Sequence, residues 1–177
     1  MPQQSKETHY LFRWDKLGDI AVGRQNLGQL VPVQIYRMLE YSLNHVLFEE
    51  FGPEKCDEIF RKAGHLAGME YARNVLPLDA SPSRFFSVLQ NSLADLMVGI
   101  LRVEKADFDE GEFILTVHED LDCSGLQPTN ELVCHYDEGF ISGIIEVYTG
   151  RTCTVREIDC WAIGERVCRF RGNFDHD

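Results

Sequence analysis

The sequence predicts an α+β fold in which helices pack on an antiparallel sheet. In its first half, apolar residues recur at three- and four-residue spacing, which is typical of amphipathic helices. After Gly99 the spacing changes to two, which indicates strands. The predicted order is three helices, two strands, one helix and two strands, and this order favours helices segregated from one antiparallel sheet.

Proline and glycine mark the ends of the three early helices. The first is predicted over residues 32–51, where Pro32 suits the first helical position, and Gly52 ends it. The second opens at Pro53 and ends before Pro77, and the third begins at Ser81-Pro82, an N-cap followed by a first helical position. The apolar positions at helical spacing are Tyr36, Leu39, Leu43, Val46 and Leu47, then Ile59, Phe60, Ala63, Leu66 and Ala67, then Phe85, Leu89, Leu93 and Leu96.

Alternating apolar and polar residues predict the strands of the second half. Residues 101–104 and 113–118 alternate on either side of a turn at 109–111. A fourth helix fits residues 132–149, closed by Gly150, and strand-like segments follow around 153–161 and 167–170. Before the first helix, Leu11, Phe12 and Trp14 suggest a short strand or a packed arm.

Composition limits the classes of function. The chain has 177 residues, which suits a single domain. We expect that domain over residues 25–177, after an N-terminal arm over residues 1–24. The net charge of -12 argues against nucleic acid and an anionic membrane as partners. No signal peptide or spanning segment is visible, so we expect a cytoplasmic protein.

Three late cysteines suggest a metal site. Cys134, Cys160 and Cys168 are soft ligands, and Glu157 is the nearest candidate for the fourth position that tetrahedral zinc requires. Glu157 and Cys160 would point to opposite faces of a regular strand, so joint binding requires a bulge or a strand end between them. Spacing alone leaves open that the three cysteines are buried small hydrophobes, and that Cys123 is a further sulfur near the metal.

The late motifs carry a family resemblance. The segments Cys134 to Gly143, Tyr148-Thr149-Gly150, Glu157-Ile158-Asp159-Cys160 and Gly164 to Phe170 resemble the 4-vinyl reductase domain, also called the predicted hydrocarbon-binding domain. The match is specific over residues 132–171 and looser over 25–131. The family includes the aromatic-sensing domain of phenol-responsive transcription activators.

The resemblance implies a fold, a metal and a quaternary structure. The fold would be similar to that of nitric-oxide sensors and vesicle-tethering subunits, and it often forms homodimers. In the phenol sensors, residues matching Cys134, Glu157, Cys160 and Cys168 bind zinc, at spacings of 23, 3 and 8 residues that are the same here. The histidine that holds the phenol hydroxyl aligns near Phe85 or Phe86, which favours a more apolar ligand for this chain.

The functional prediction is a zinc-stabilised module that binds or senses a small apolar or aromatic molecule, rather than an enzyme. One alternative is an enzyme or carrier of tetrapyrrole metabolism, and another is a dimeric scaffold without ligand. Two G-x-x-x-G patterns, at Gly64/Gly68 and Gly139/Gly143, predict close helix approach, with room beside a ligand as the alternative. The predicted pocket-lining residues, each also compatible with plain core, are Phe85, Phe86, Leu89, Phe113, Phe140, Tyr148 and Trp161.

Overall fold

The fold combines five helices with a four-stranded antiparallel sheet among the residues described by the computed structural model, 11–108 and 111–175. The predicted α+β class is therefore confirmed, and the predicted order of helices and strands holds from residue 33 onward, whereas the short helix over Ile20–Gly23 was not predicted. Residues 109 and 110 of the predicted turn lie outside the described residues. The elements are α1 (Ile20–Gly23), α2 (Val33–Phe51), α3 (Pro53–Val75), α4 (Pro82–Asp95), β1 (Ile100–Asp107), β2 (Glu112–His118), α5 (His135–Thr149), β3 (Cys153–Asp159) and β4 (Cys168–Phe174).

Glycine and proline residues explain most helix boundaries. Gly52 has φ 79°, a conformation that glycine adopts easily, and it separates α2 from α3. Pro53 opens α3 and Gly150, with φ 71°, closes α5. Helix α5 begins at His135, three residues later than predicted, because the backbone of Cys134 has a non-helical ψ of 50°.

The sheet has the strand order β1-β2-β4-β3, and every neighbouring pair is antiparallel. The pairing of β3 with β4 shifts between Glu157 and Asp159, and β3 ends there. The irregularity that the sequence required between Glu157 and Cys160 is therefore present. The buried sides of β1, β2 and β4 contribute Leu101, Phe113, Leu115 and Phe170 to the core, against α4 and α5.

Helices α3 and α5 approach each other at backbone contact distance. A Cβ atom built on Gly64 would lie 2.0 Å from the carbonyl oxygen of Tyr136, and one on Gly139 would lie 1.9 Å from that of Arg61. Gly68 and Gly143 meet the opposite helix in the same way. Both G-x-x-x-G patterns thus serve close helix packing, as the first interpretation of the sequence proposed.

Helix α2 has a reversed amphipathic character. Its half-buried side carries Tyr36, Arg37 and Glu40, whereas large apolar side chains point to solvent. Leu39 is 70% exposed and Met38 is 69% exposed. Of the apolar stripe that predicted this helix, Leu39, Leu43 and Val46 therefore face solvent, whereas Tyr36 and Leu47 are half-buried.

The described segment before α2, residues 11–32, forms no strand and is exposed except at Trp14. Residues Trp14–Leu17 form a 3₁₀ turn, and the backbone N–H of Trp14 donates to Glu70 Oε2 at 2.8 Å. The Trp14 ring meets Tyr71 edge-on, with centroids 6.2 Å apart. Among the described residues, no helix is both long and apolar enough to cross a membrane.

Candidate metal centre and adjoining cavities

Four cysteine sulfurs meet at one end of the sheet. Cys168 opens β4, Cys160 follows β3, Cys134 immediately precedes α5, and Cys123 lies in the loop after β2. Cys160 and Cys168 lie close together because β3 and β4 are paired and antiparallel, and a short loop with a 3₁₀ turn at Trp161–Ile163 joins them. All four thiols are buried and free of disulfide bonds.

The four sulfurs lie close enough together to share one metal ion. The ligand atoms of these four cysteines all lie within 4.8 Å of one another. The Cys134 Sγ atom is 3.8 Å from both the Cys160 and Cys168 Sγ atoms, and the Cys123–Cys168 distance is 3.1 Å. Four thiolates at a zinc–sulfur distance of about 2.3 Å would have edges of about 3.8 Å. The four cysteines can therefore hold a metal ion.

The electrostatics of the group also suit a cation. Hydrogen bonds from the thiols of Cys123, Cys134 and Cys168 lower the pKa of Cys160, whereas those from Cys123, Cys160 and Cys168 raise the pKa of Cys134. Without a metal, the group accordingly favours one thiolate at the expense of the others. A bound cation removes this competition, since it stabilises several thiolates at once.

The Glu157 carboxyl group lies directly against the sulfur group, within hydrogen-bonding reach of the Cys160 and Cys134 thiols. Its Oε2 atom accepts the backbone N–H of Cys134 at 3.1 Å, and its buried Oε1 atom has no hydrogen-bond partner. Burial, followed by the negative charge of Cys160, raises the pKa of Glu157 to about 8. Three of the four predicted ligands thus meet, with Cys123 as the fourth sulfur and Glu157 adjacent.

Two buried carboxylates fix the segments that carry these side chains. Asp120 Oδ1 accepts the backbone N–H groups of Asp122 and Cys123 at 2.9 and 3.2 Å, so it shapes the loop around Cys123. Glu138 pairs with Arg61 of α3, and its Oε1 atom accepts the N–H of Glu157 at 2.8 Å. Although burial opposes ionisation, hydrogen bonds led by that from His135 lower the pKa of Glu138.

A small enclosed cavity lies between α4, α5 and the sheet, close to the sulfur group. Its volume is about 30 Å³, enough for about one or two water molecules. Leu89 and Phe140, two of the predicted pocket residues, are part of its wall. The complete lining is Leu89, Leu93, Val98, Gly99, Leu101, Leu115, Val117, Asp120, Asp137, Phe140, Ile141, Ile144 and Ile145.

The other predicted pocket residues lie elsewhere. Phe85 and Phe113 are completely buried, and Phe85 stacks on Tyr148 with ring centroids 3.8 Å apart. Phe86 contacts Phe85 edge-on within the same aromatic cluster. The indole N–H of Trp161 donates to the Leu126 carbonyl oxygen, in the loop that carries Cys123. The structure thus brings Leu89 and Phe140 together at the cavity, while the remaining five pack away from it.

Residues 113–174 match the family model of the 4-vinyl reductase domain, and this match includes Glu157 and all four clustered cysteines. This match, over about a third of the chain, confirms the family resemblance of the late motifs. Two uncharacterised proteins of Methanocaldococcus jannaschii are each 26% identical over 146 residues, 82% of this chain and 80% and 78% of theirs.

Solved structures share the fold at low sequence identity. The phenol-responsive sensory domain of the transcription activator PoxR, solved with phenol, has a TM-score of 0.65 and 16% identity, covering 83% of this chain and 76% of that one. A vinyl-4-reductase family protein from Methanocaldococcus jannaschii has a TM-score of 0.60 and 11% identity, covering 90% of this chain and 98% of that one. A trafficking protein particle complex subunit 3 from Naegleria fowleri, covalently bound to palmitic acid, has a TM-score of 0.62 and 16% identity, covering 81% of this chain and 95% of that one. The predicted likeness to vesicle-tethering subunits is confirmed.

Proposed function

We propose that this protein is a zinc-stabilised homodimeric module that binds a small apolar or aromatic molecule. The observation that carries the proposal is an apolar cavity enclosed by α4, α5 and the sheet, directly beside a group of four buried thiols. The PoxR sensory domain was solved with phenol and the trafficking subunit with palmitic acid, which supports ligand binding by this fold.

The cavity must open before it accepts an aromatic ring. Its volume of about 30 Å³ is far below the ~150 Å³ of an engineered cavity that binds benzene. Its walls are mainly leucine, isoleucine and valine side chains, which can change rotamer, while metal-linked segments hold one end in place. Ligand binding would therefore expand an existing space between α4 and α5.

Leu89→Trp tests the cavity. Leu89 borders open space, so the larger side chain should fill the cavity and weaken toluene or phenol binding by at least about tenfold. We expect a stability loss of about 1 kcal/mol, at the low end of overpacking costs. Leu96→Trp, at an exposed position after the same helix, is the control. Binding is measured by calorimetry; a loss of about 3 kcal/mol with no probe bound by the wild type would support the scaffold alternative.

We propose zinc as the metal, held by Cys134, Cys160 and Cys168. The fourth ligand is Cys123 on the present sulfur positions, whereas the family pattern points to Glu157. With four thiolates, or with three thiolates and one carboxylate, no coordination position stays open, so the metal serves structure.

Cys123→Ser and Glu157→Gln distinguish the two ligand sets. If Cys123 is the fourth ligand, Cys123→Ser should lower zinc affinity by at least about a hundredfold. Glu157→Gln should then lower zinc affinity by only about ten- to a hundredfold, because it weakens a hydrogen bond to a ligand segment and removes no ligand. Competition with a chromogenic chelator measures both. The reverse order would assign the carboxylate to the metal and leave Cys123 as a neighbour.

The dimer is proposed from the reversed character of α2. A continuous apolar face on an exposed helix marks an interaction surface, and a second copy of the chain would cover it. The polar side of the helix is already occupied: Arg37 donates to the carbonyl oxygens of Leu121 and Ser124 at 2.8 and 2.9 Å. The outward face is therefore available without unfolding the chain.

Leu39→Lys tests the dimer. A lysine in the centre of the exposed apolar face should disfavour association, because burying an unpaired charge is costly. Light scattering should give twice the 20.3 kDa chain mass for the wild type and the single mass for the variant. Gln34→Lys adds the same charge at another exposed position of α2 and should leave the dimer intact. A monomeric wild type would contradict the proposal.

A further inference from the structure

A second, open cleft lies apart from the enclosed cavity. It has a volume of about 260 Å³ and runs between α2 and the loop that joins β2 to α5. It shares no lining residue with the enclosed cavity. Two carboxyl groups lie in it, from Glu40 of α2 and Asp122 of the loop, with aromatic and apolar side chains around them.

The two carboxyl groups lie next to each other, and neither forms an ion pair with a described residue. They lie within hydrogen-bonding reach of each other, and Glu40 Oε2 and Asp122 Oδ2 are buried atoms with no hydrogen-bond partner. Asp122 is only 5% exposed, and its other oxygen accepts the Tyr36 hydroxyl at 2.9 Å. Within residues 11–108 and 111–175, neither carboxyl group forms an ion pair.

Arg37, a cation of α2 near this pair, is committed to another role. Its Nε and Nη2 atoms donate to the carbonyl oxygens of Leu121 and Ser124, so they hold the loop rather than the carboxyl pair. Without a bound cation the buried pair must share a proton, since burial and the proximity of the two groups raise the pKa of Glu40 to about 8 and that of Asp122 to about 7. A cation that displaces this proton would leave both groups ionised and paired. The cleft is therefore complementary to a ligand that brings hydrogen-bond donors and positive charge.

We propose that this cleft binds a small organic cation, an ammonium group carried on an apolar body. The ammonium donates to Glu40 and Asp122, which supply charge-assisted hydrogen bonds. The apolar body lies against Leu126 and Val133, and the rings of Tyr41 and Phe48 add surfaces that favour a neighbouring cation. The proposal concerns a site separate from the enclosed cavity and does not depend on ligand binding there.

The chemistry of the walls disfavours calcium or magnesium in this cleft. These ions require about six or more oxygen ligands, whereas the cleft offers two carboxyl groups, the Asn44 amide and the His45 imidazole, which pairs with Glu49 at 3.5 Å. An anionic ligand would meet two acidic groups. A neutral ligand would leave the carboxyl pair without a compensating charge.

Calorimetry with 2-phenylethylammonium chloride and its neutral counterpart 2-phenylethanol tests the proposal on the full chain at neutral pH. The wild type should bind the amine at least about tenfold more tightly than the alcohol, since a hydrogen bond to a charged group contributes about that factor or more. Glu40→Gln should remove this preference. Glu50→Gln, which removes the same charge from an exposed position of the same helix, should leave it unchanged.

Three results would overturn the assignment. Equal binding of amine and alcohol, or no binding of the amine, would mean that the carboxyl pair shares a proton and recognises no ligand. Equal losses in Glu40→Gln and Glu50→Gln would mean that general charge attraction causes the preference. Displacement of the amine by calcium at equal concentration would identify a metal site instead.

Discussion

Cys160→Ser should yield protein that contains no stoichiometric zinc and melts at a much lower temperature than the wild type. Cys160 directly follows β3, and its sulfur lies 3.8 Å from the Cys134 sulfur, so its loss would remove a proposed zinc ligand that links the sheet to the start of α5. Structural zinc contributes about 10–16 kcal/mol in small peptides, which is comparable to the whole stability of a typical domain. Elemental analysis and thermal unfolding measure the two effects.

Cys56→Ser is the matched control for this variant. Cys56 is also buried, but its thiol donates to the Asn44 carbonyl oxygen and lies outside the sulfur group. The Cys56→Ser variant should keep about one zinc per chain and lose only the small contribution that one buried thiol makes to stability. A chelator should lower the melting temperature of the wild type and of Cys56→Ser but not that of Cys160→Ser. Equal zinc content in both variants would contradict the metal site.

Gly139→Ala is expected to destabilise the fold by about 3 kcal/mol or more, at the upper end of overpacking costs. The added Cβ atom would lie 1.9 Å from the Arg61 carbonyl oxygen and 2.8 Å from the His65 nitrogen. These are backbone atoms, so α3 and α5 must separate to admit it. Denaturant unfolding measures the loss, and for a chain of this size it corresponds to about 6–12 °C in melting temperature.

Gly23→Ala provides the comparison for Gly139→Ala. A Cβ atom at Gly23 meets nothing within 4 Å, and its φ is not in the left-handed region. The same substitution should therefore be neutral or slightly stabilising, since alanine reduces the entropy of the unfolded chain. If Gly139→Ala unfolds within about 0.5 kcal/mol of Gly23→Ala, the close helix approach is absent in solution.

The predictable parts of the fold are those governed by local spacing. Pro53 and Gly52 separate two helices whatever surrounds them, and the alternation over residues 113–118 predicts β2 directly. The two G-x-x-x-G patterns predict helix approach because only glycine admits a carbonyl oxygen at that distance. These signals need no knowledge of which elements meet in space.

The placement of Cys123 and the orientation of α2 depend on long-range contacts. Cys123 reaches the sulfur group because Asp120 caps its loop and Arg37 and Tyr36 hold that loop from α2. Those contacts require the polar side of α2 to face inward, so most of its apolar stripe turns outward, contrary to what hydrophobic periodicity alone implies. Isolated residues such as Cys123 and Glu40 carry no spacing signal of their own.

Native mass spectrometry of the freshly purified protein tests the central claim most directly, because it reports metal, stoichiometry and small ligands together. We predict a dimer of the 20.3 kDa chain with about one zinc ion per chain, and with added mass that disappears in Leu89→Trp if a ligand co-purifies. Wild-type protein that is metal-free, monomeric and as thermally stable after chelation as before would contradict the account of a zinc-stabilised dimeric module.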